Sequence, residues 1–137
     1  MRIYEIKRSV RGVVTCLVRT AEGQGETLRP YKLPHAELHS PTGFECGYGG
    51  SGPADLSASI LADFFNVPAR TVKRAYRKGG AGEDADKVAR LHQHFKVIIA
   101  GIHVEPGSSA KLTGDQIAEW IAKHEAGEQR KAEAAEA

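Results

Sequence analysis

What the chain has little of narrows its reading first. Cysteine occurs only twice, at Cys16 and Cys46, with no C-x-x-C pair. Neither a disulfide scaffold nor a thiolate metal site is expected, and both thiols are read as free and buried. No apolar run approaches the length of about 18 residues that a spanning helix needs, and no basic, apolar and small-residue leader opens the chain. These absences predict a soluble protein of a reducing cytoplasm with no membrane partner. A surplus of one charge is missing as well: 19 Lys and Arg against 17 Asp and Glu leave +2, so net charge does not mark a nucleic-acid binder. The 137 residues, 41% hydrophobic and 26% charged, suit one domain with one modest core rather than a disordered or coiled-coil chain.

The charge that is present is unevenly placed. Residues 1–78 hold 12 basic and 7 acidic side chains, a balance of +5, whereas residues 79–137 hold 7 and 10, a balance of −3. The front half is therefore the anion-facing half. Within it, Arg2-Ile3-Tyr4-Glu5-Ile6-Lys7 and the run from Val13 to Arg19 predict an antiparallel hairpin, turning at Ser9-Val10-Arg11-Gly12 and closed by Ala21-Glu22-Gly23-Gln24-Gly25. Pro30 and Pro34 leave room only for a short strand or extended segment between Thr27 and Ser40.

A helix is expected to open at Pro53-Ala54-Asp55 and run to about Asn66, with Leu56, Ile60, Leu61 and Phe64 on one face. Val67-Pro68 breaks it. A second helix covers Arg70 to Lys78 with Val72, Ala75 and Tyr76 inward, and a third Asp84 to His92. The β-branched run from Phe95 to Ile102 predicts a strand, with a helix continuing through it as the competing reading. Thr113 caps a last helix carrying Ile117, Trp120 and Ile121. The architecture that follows is α+β: a single domain over 1–124, its antiparallel sheet built from the hairpin and the 95–102 strand and packed by two or three helices. An Ala/Glu-rich tail over 125–137 is expected to be frayed or disordered.

The densest chemical signal is Phe44-Glu45-Cys46-Gly47-Tyr48-Gly49-Gly50-Ser51-Gly52-Pro53, directly before a helix start. Such a loop leaves backbone N–H groups to converge on an anion, and the helix dipole adds about half a positive charge. Pro53 in the first turn costs no hydrogen bond, with Asp55 or Ser51 as the expected cap. A tight structural turn would use the same residues, so both readings stand. Gly47, Gly49 and Gly52 satisfy G-x-G-x-x-G, but Val67-Pro68-Ala69-Arg70-Thr71-Val72 stands where a dinucleotide fold needs an acidic strand end, and no Lys-Ser/Thr follows as in a Walker loop. Ser51 misses the G-x-S-x-G elbow by one position. His92 and His94 are two apart and share no helical face, His35 and His39 are bracketed by Pro34 and Pro41, and Cys16, Cys46 and His103 are scattered. No catalytic residue, metal or cofactor is expected; the protein is read as a binder, not an enzyme.

The stretch from Ser40 to Leu56, followed by Ile60-Leu61-Ala62-Asp63, resembles a small domain family of phages and bacteria of unknown function with the pattern F-x-W-G-Y-G-G-S-G-P-A-x-L-A-x-x-I-L. Leu91-His92-Gln93-His94-Phe95-Lys96-Val97-Ile98-Ile99-Ala100 resembles its H-Q-x-F-K-x-x-V-I-A segment, and Leu112 to Ile121 its closing helix. The chain is also similar to phage anti-Thoeris proteins, which sequester a cyclic ADP-ribose signal and, in some members, cyclic oligonucleotides. The resemblance implies a non-enzymatic sponge for a nucleotide-derived signal, acting as a homo-oligomer in the cytoplasm of a bacterial host against anti-phage defence. Cys46 departs from the pattern's tryptophan and Ser57 from its usual alanine; Cys46 removes a stacking surface if that tryptophan lines a ligand pocket, and costs only some stability if it packs in the core.

Such a ligand needs cations for phosphate, an aromatic face for the base and fixed donors. The candidates are Arg8, Arg11 and Arg29, Phe44 and Tyr48, and the loop residues Gly49, Gly50, Ser51 and Gly52. The rival reading is DNA binding through a helix-turn-helix-like segment at 58–78, with Arg70, Lys73, Arg74 and Arg77 as its contacts. A structural or interaction domain with no ligand is the third.

Overall fold

A computed structural model describes residues 1–20 and 29–136. The glycine-rich close of the hairpin at 21–25 and the start of the segment from Thr27 lie outside the described residues. The elements run β1 (Arg2–Arg8), β2 (Val14–Thr20), β3 (Tyr31–Lys32), α1 (Ser51–Phe64), α2 (Ala69–Lys78), α3 (Glu83–Ala100), β4 (Ser109–Thr113) and α4 (Gly114–Glu136). The strands form one antiparallel sheet in the order β3-β2-β1-β4, and the fold is α+β.

Alternation sorts the two faces of the sheet. Tyr4, Ile6, Cys16, Val18 and Leu112 turn inward and are buried. Glu5, Lys7, Thr15, Arg19 and Lys111 take the other face, in register across the strands. Glu5 is nearly covered there because Lys7 and Arg19 lie over it at 3.3 and 3.2 Å. Burial alone would raise its carboxyl, but the hydrogen bonds from Arg19 and Lys7 hold it below the usual range.

Of the segment expected as a strand, 95–102, residues 95–100 are instead the last third of α3, which ends at Ala100. Val88, Leu91, Phe95 and Ile99 recur at helical spacing and are all buried, while Val97 between them is 70% exposed. A strand would have placed Phe95, Val97 and Ile99 on one face, and only one of those arrangements gives each side chain its solvent. The strand that does complete the sheet is β4, a five-residue segment with Leu112 as its one buried residue.

α1 begins two residues earlier than expected and ends at Phe64. Its cap is Gly50 in extended conformation, with no side-chain cap from Ser51 or Asp55. Asp55 is fully buried for another purpose: its carboxylate accepts from the N–H groups of His39 (2.8 Å), Ser40 (2.9 Å) and Leu38 (3.2 Å), and from His35 Nε2 (2.8 Å). Ser59 Oγ accepts from Ala36 N–H at 2.8 Å. Helix α1 thus holds the 35–40 segment by its own polar side chains, which satisfies backbone donors that no sheet would reach. Asp63 does the same for the sheet, accepting from Tyr4 and Tyr31 at 2.7 and 2.6 Å and pairing with Arg2.

Helix α4 begins with a reciprocal cap: Gln116 N–H donates to Thr113 Oγ1 at 3.1 Å, and Thr113 N–H to Gln116 Oε1 at 2.9 Å. It is anchored by Ile117 and Ile121 and continues with exposed side chains to Glu136. Among the described residues no helix is long and apolar enough to cross a membrane.

Candidate functional site

The glycine loop is held at both ends. Gly47 N–H donates to Ile99 O at 3.1 Å, which ties the loop to the end of α3. A side chain at Gly47 would need φ of +85 and would press on Ile102 O and His103 at 3.3 Å, so glycine is required there. At the other end Gly52 lies against Glu45, with 2.7 Å between the position of an added Cβ and Glu45 Cβ. Between these anchors Tyr48, a residue 53% exposed, lies across Gly50, where an added Cβ would fall 2.6 Å from its ring.

The N–H groups of Gly49, Gly50, Ser51 and Gly52 have no partner among the described residues. They surround the uncapped first turn of α1, where donors are orphaned and the dipole is positive. Beside them is an open cleft of about 370 Å³ between the β1–β2 turn and the loop, with Val13, Thr42, Phe44, Tyr48, Ser51 and Gly52 among its walls. That volume is within the range of small-molecule sites.

The candidate cations divide. Arg11 is exposed in the hairpin turn and free of ion pairs among the described residues. Arg29 is exposed ahead of β3. Arg8 is committed inside the protein: Nε donates to Val104 O at 2.8 Å, Nη1 to Gly12 O at 3.1 Å, and Nη2 to Glu45 Oε1 at 2.9 Å. The Glu45 bond raises the Arg8 pKa above its ordinary value. Arg8 therefore welds the hairpin turn to the glycine loop and the 104 segment. Glu45 came into view only with the structure, because nothing local in F-E-C-G announces a partner 37 positions away.

Phe44 is half-buried, packed edge-on against His35 with 4.8 Å between ring centroids and bridged to Val14, so it is cleft wall and core plug together. Cys46 is 2% exposed, within the core and outside the cleft. Burial raises its thiol pKa, with Arg8 pulling the other way. The residue at position 46 thus bears on packing rather than on a stacking surface. Cys16, facing the sheet core, has its thiol pushed up to about 12 by burial, which disfavours its thiolate at neutral pH.

Two histidines meet that no spacing in the chain pairs. His39 Nε2 lies 2.9 Å from His92 Nε2, and His92 Nδ1 lies 2.6 Å from Ala89 O. A carbonyl only accepts, so Nδ1 of His92 carries the proton, and His39 Nε2 lies between His92 Nε2 and the Gln93 amide nitrogen, 3.2 Å away. Burial lowers the pKa of His92. Tyr76, expected inward, is 44% exposed and packs edge-on against both rings; its phenol needs water, and the outer flank of α2 supplies it. Among the described residues no three His, Cys, Asp or Glu side chains come together as a metal site.

The second expected surface, on α2, is also clear. Val72 and Ala75 are buried; Arg70, Arg74, Arg77 and Lys78 are exposed and Lys73 half-exposed. Residues 4–78, from β1 through α2, match a family described as a family of unknown function, DUF6166. The chain belongs to the DUF6166 family. More than half of it is covered, and the glycine loop, the cleft and α2 all fall within the DUF6166 span. No curated protein matches the chain, and no solved structure does.

Proposed function

We propose that this DUF6166 protein binds and sequesters a nucleotide-derived signal, of the cyclic ADP-ribose or cyclic oligonucleotide kind, without turning it over. In this reading it acts as a homo-oligomer in the bacterial cytoplasm and counteracts anti-phage defence. One observation carries the proposal: among the described residues the N–H groups from Gly49 to Gly52 at the start of α1 have no partner, and Ser51 and Gly52 line a cleft of about 370 Å³ faced by Tyr48. The N–H groups and helix dipole suit a phosphate, Tyr48 offers a base a face, and Arg11, in no ion pair among the described residues, supplies a cation. The titratable side chains on the cleft wall are Glu45, held by Arg8, and Tyr48. That set suits holding a ligand better than proton transfer.

The test is thermal unfolding against cyclic dinucleotides, cyclic trinucleotides, cyclic ADP-ribose isomers and ADP-ribose. A ligand at one hundred times its Kd stabilises by about 2.7 kcal/mol, a shift of several degrees, and should be recovered intact after denaturation. Gly50→Asp drives a side chain into the Tyr48 ring and puts a carboxylate at the donors; it should abolish that shift while the unliganded Tm changes little. A flat panel, or a ligand recovered cleaved, retires the reading.

A further inference from the structure

The clearest charged surface of the molecule lies away from the cleft, at the far end of α1. Between Asp63 and Glu83 the sequence has five basic residues and no acidic one. All five, Arg70, Lys73, Arg74, Arg77 and Lys78, are on α2, and at 100° per residue they occupy an arc of about 140°. The opposite side of that helix is the buried pair Val72 and Ala75. None of the five cations is in an ion pair among the described residues, whereas Arg2, Lys7, Arg8, Arg19 and Lys87 all are. A charged face of this kind that was only solvated would ordinarily carry both signs.

The connection into α2 is the second observation. Four residues, Phe65 to Pro68, join the helices. Asn66 adopts φ +57, and Val67 N–H reaches back to Ala62 O at 2.8 Å while Phe65 N–H donates to Leu61 O at 3.0 Å. This is a left-handed helix stop on the residue type that, after glycine, tolerates it best. It brings Val72 and Ala75 of α2 into the core that holds Leu61 and Ala62 of α1, and α3 packs on both helices. Two helices joined by a tight turn, buttressed by a third and with the second helix presenting its polar side outward, are the parts of a helix-turn-helix.

We propose that α1 and α2 form a helix-turn-helix whose second helix docks in the major groove of duplex DNA. Arg70, Lys73 and Arg74 near the start of α2 face base edges and phosphates, and Arg77 and Lys78 contact the flanking backbone. This is a function additional to ligand binding at the cleft and does not depend on it.

Fluorescence anisotropy with a labelled 30-base-pair duplex, no nucleotide present, tests it. Neutralising four phosphates predicts that affinity falls about 10²-fold between 50 and 200 mM salt. Lys73→Ala with Arg77→Ala should weaken binding and cut that salt effect to about tenfold, with far-UV circular dichroism and Tm unchanged because both side chains face solvent. The charge-matched control, Lys32→Ala with Lys111→Ala on the sheet, should leave binding as it is. Equal affinity for a single strand or for phosphatidylserine vesicles overturns the proposal, as does an equal loss in the control or no duplex binding at 50 mM salt.

Discussion

At the scale of single residues, Arg8 shows how a candidate ligand group is absorbed by a fold. Its guanidinium satisfies two backbone carbonyls and one carboxylate from three separate segments. Arg8→Ala leaves Val104 O and Gly12 O without their donor and Glu45 without its counter-charge. A loss of about 2 kcal/mol is expected, read as a fall of several degrees in Tm. Glu45→Gln is the more informative change. It keeps the shape, removes the charge that Arg8 neutralises, and leaves a cation beside the cleft. A nucleotide phosphate in that cleft should then bind several-fold more tightly, although the free protein is less stable. Unchanged or weaker affinity would separate Arg8 from the ligand altogether.

His92 makes a prediction about pH. Burial keeps it neutral in the folded protein at pH values where an exposed histidine, with its ordinary pKa of about 6.5, takes up a proton. The groups around it are His39, Tyr76, Lys96 and Asp55. Below about pH 6.5 the unfolded chain binds a proton that the folded chain refuses, so stability present above that pH is lost as the solution is acidified. Urea midpoints should fall between pH 7.5 and 5.5, and His92→Gln should flatten that fall whatever it does to the absolute midpoint. Glu5 titrates in a separate window: its lowered pKa contributes stability above about pH 4.5 that disappears only on further acidification.

At the scale of elements, the sequence was legible wherever local pattern and tertiary demand agreed. The hairpin, the apolar face of α1 and the Thr113 cap could all be read from neighbours in the chain. The 95–102 segment could not, because β-branched composition and helical spacing point opposite ways there, and packing of Phe95 and Ile99 beside Leu91 decided for the helix. Strand β4 was missed because S-A-K-L-T carries a single apolar residue that is buried. Arg8 with Glu45 and His39 with His92 are pairs of long sequence separation, which no spacing rule reaches. Asp55 did leave a signal: an acid inside P-A-D-L-S-A-S-I, on a helix otherwise set for the core, needs partners of its own. Two local features give tests. Asn66→Gly should be tolerated because its left-handed conformation suits glycine, whereas Asn66→Val should cost about 1–2 kcal/mol in a denaturant titration. Thr113→Ala removes one half of the α4 cap and should cost about 1 kcal/mol.

At the scale of the whole molecule, α1 is the element that organises both candidate surfaces. Its first turn borders the cleft and its last turn leads into α2, and 14 residues at about 1.5 Å each separate the two by about 20 Å. The polar side chains between them, Asp55, Ser57 and Ser59, are spent on fixing the 35–40 segment and the His92 carbonyl, which ties α1 to its surroundings as a strut. Sites that far apart, sharing no side chain, are expected to act additively within about 0.5 kcal/mol. Gly50→Asp should therefore leave duplex affinity within about twofold of the parent, and Lys73→Ala with Arg77→Ala should leave a nucleotide-induced Tm shift intact. Measuring both ligands on both variants closes the cycle. A loss that crosses from one surface to the other would mean that α1 is not a passive strut, and that the cleft and the basic helix report on each other through it.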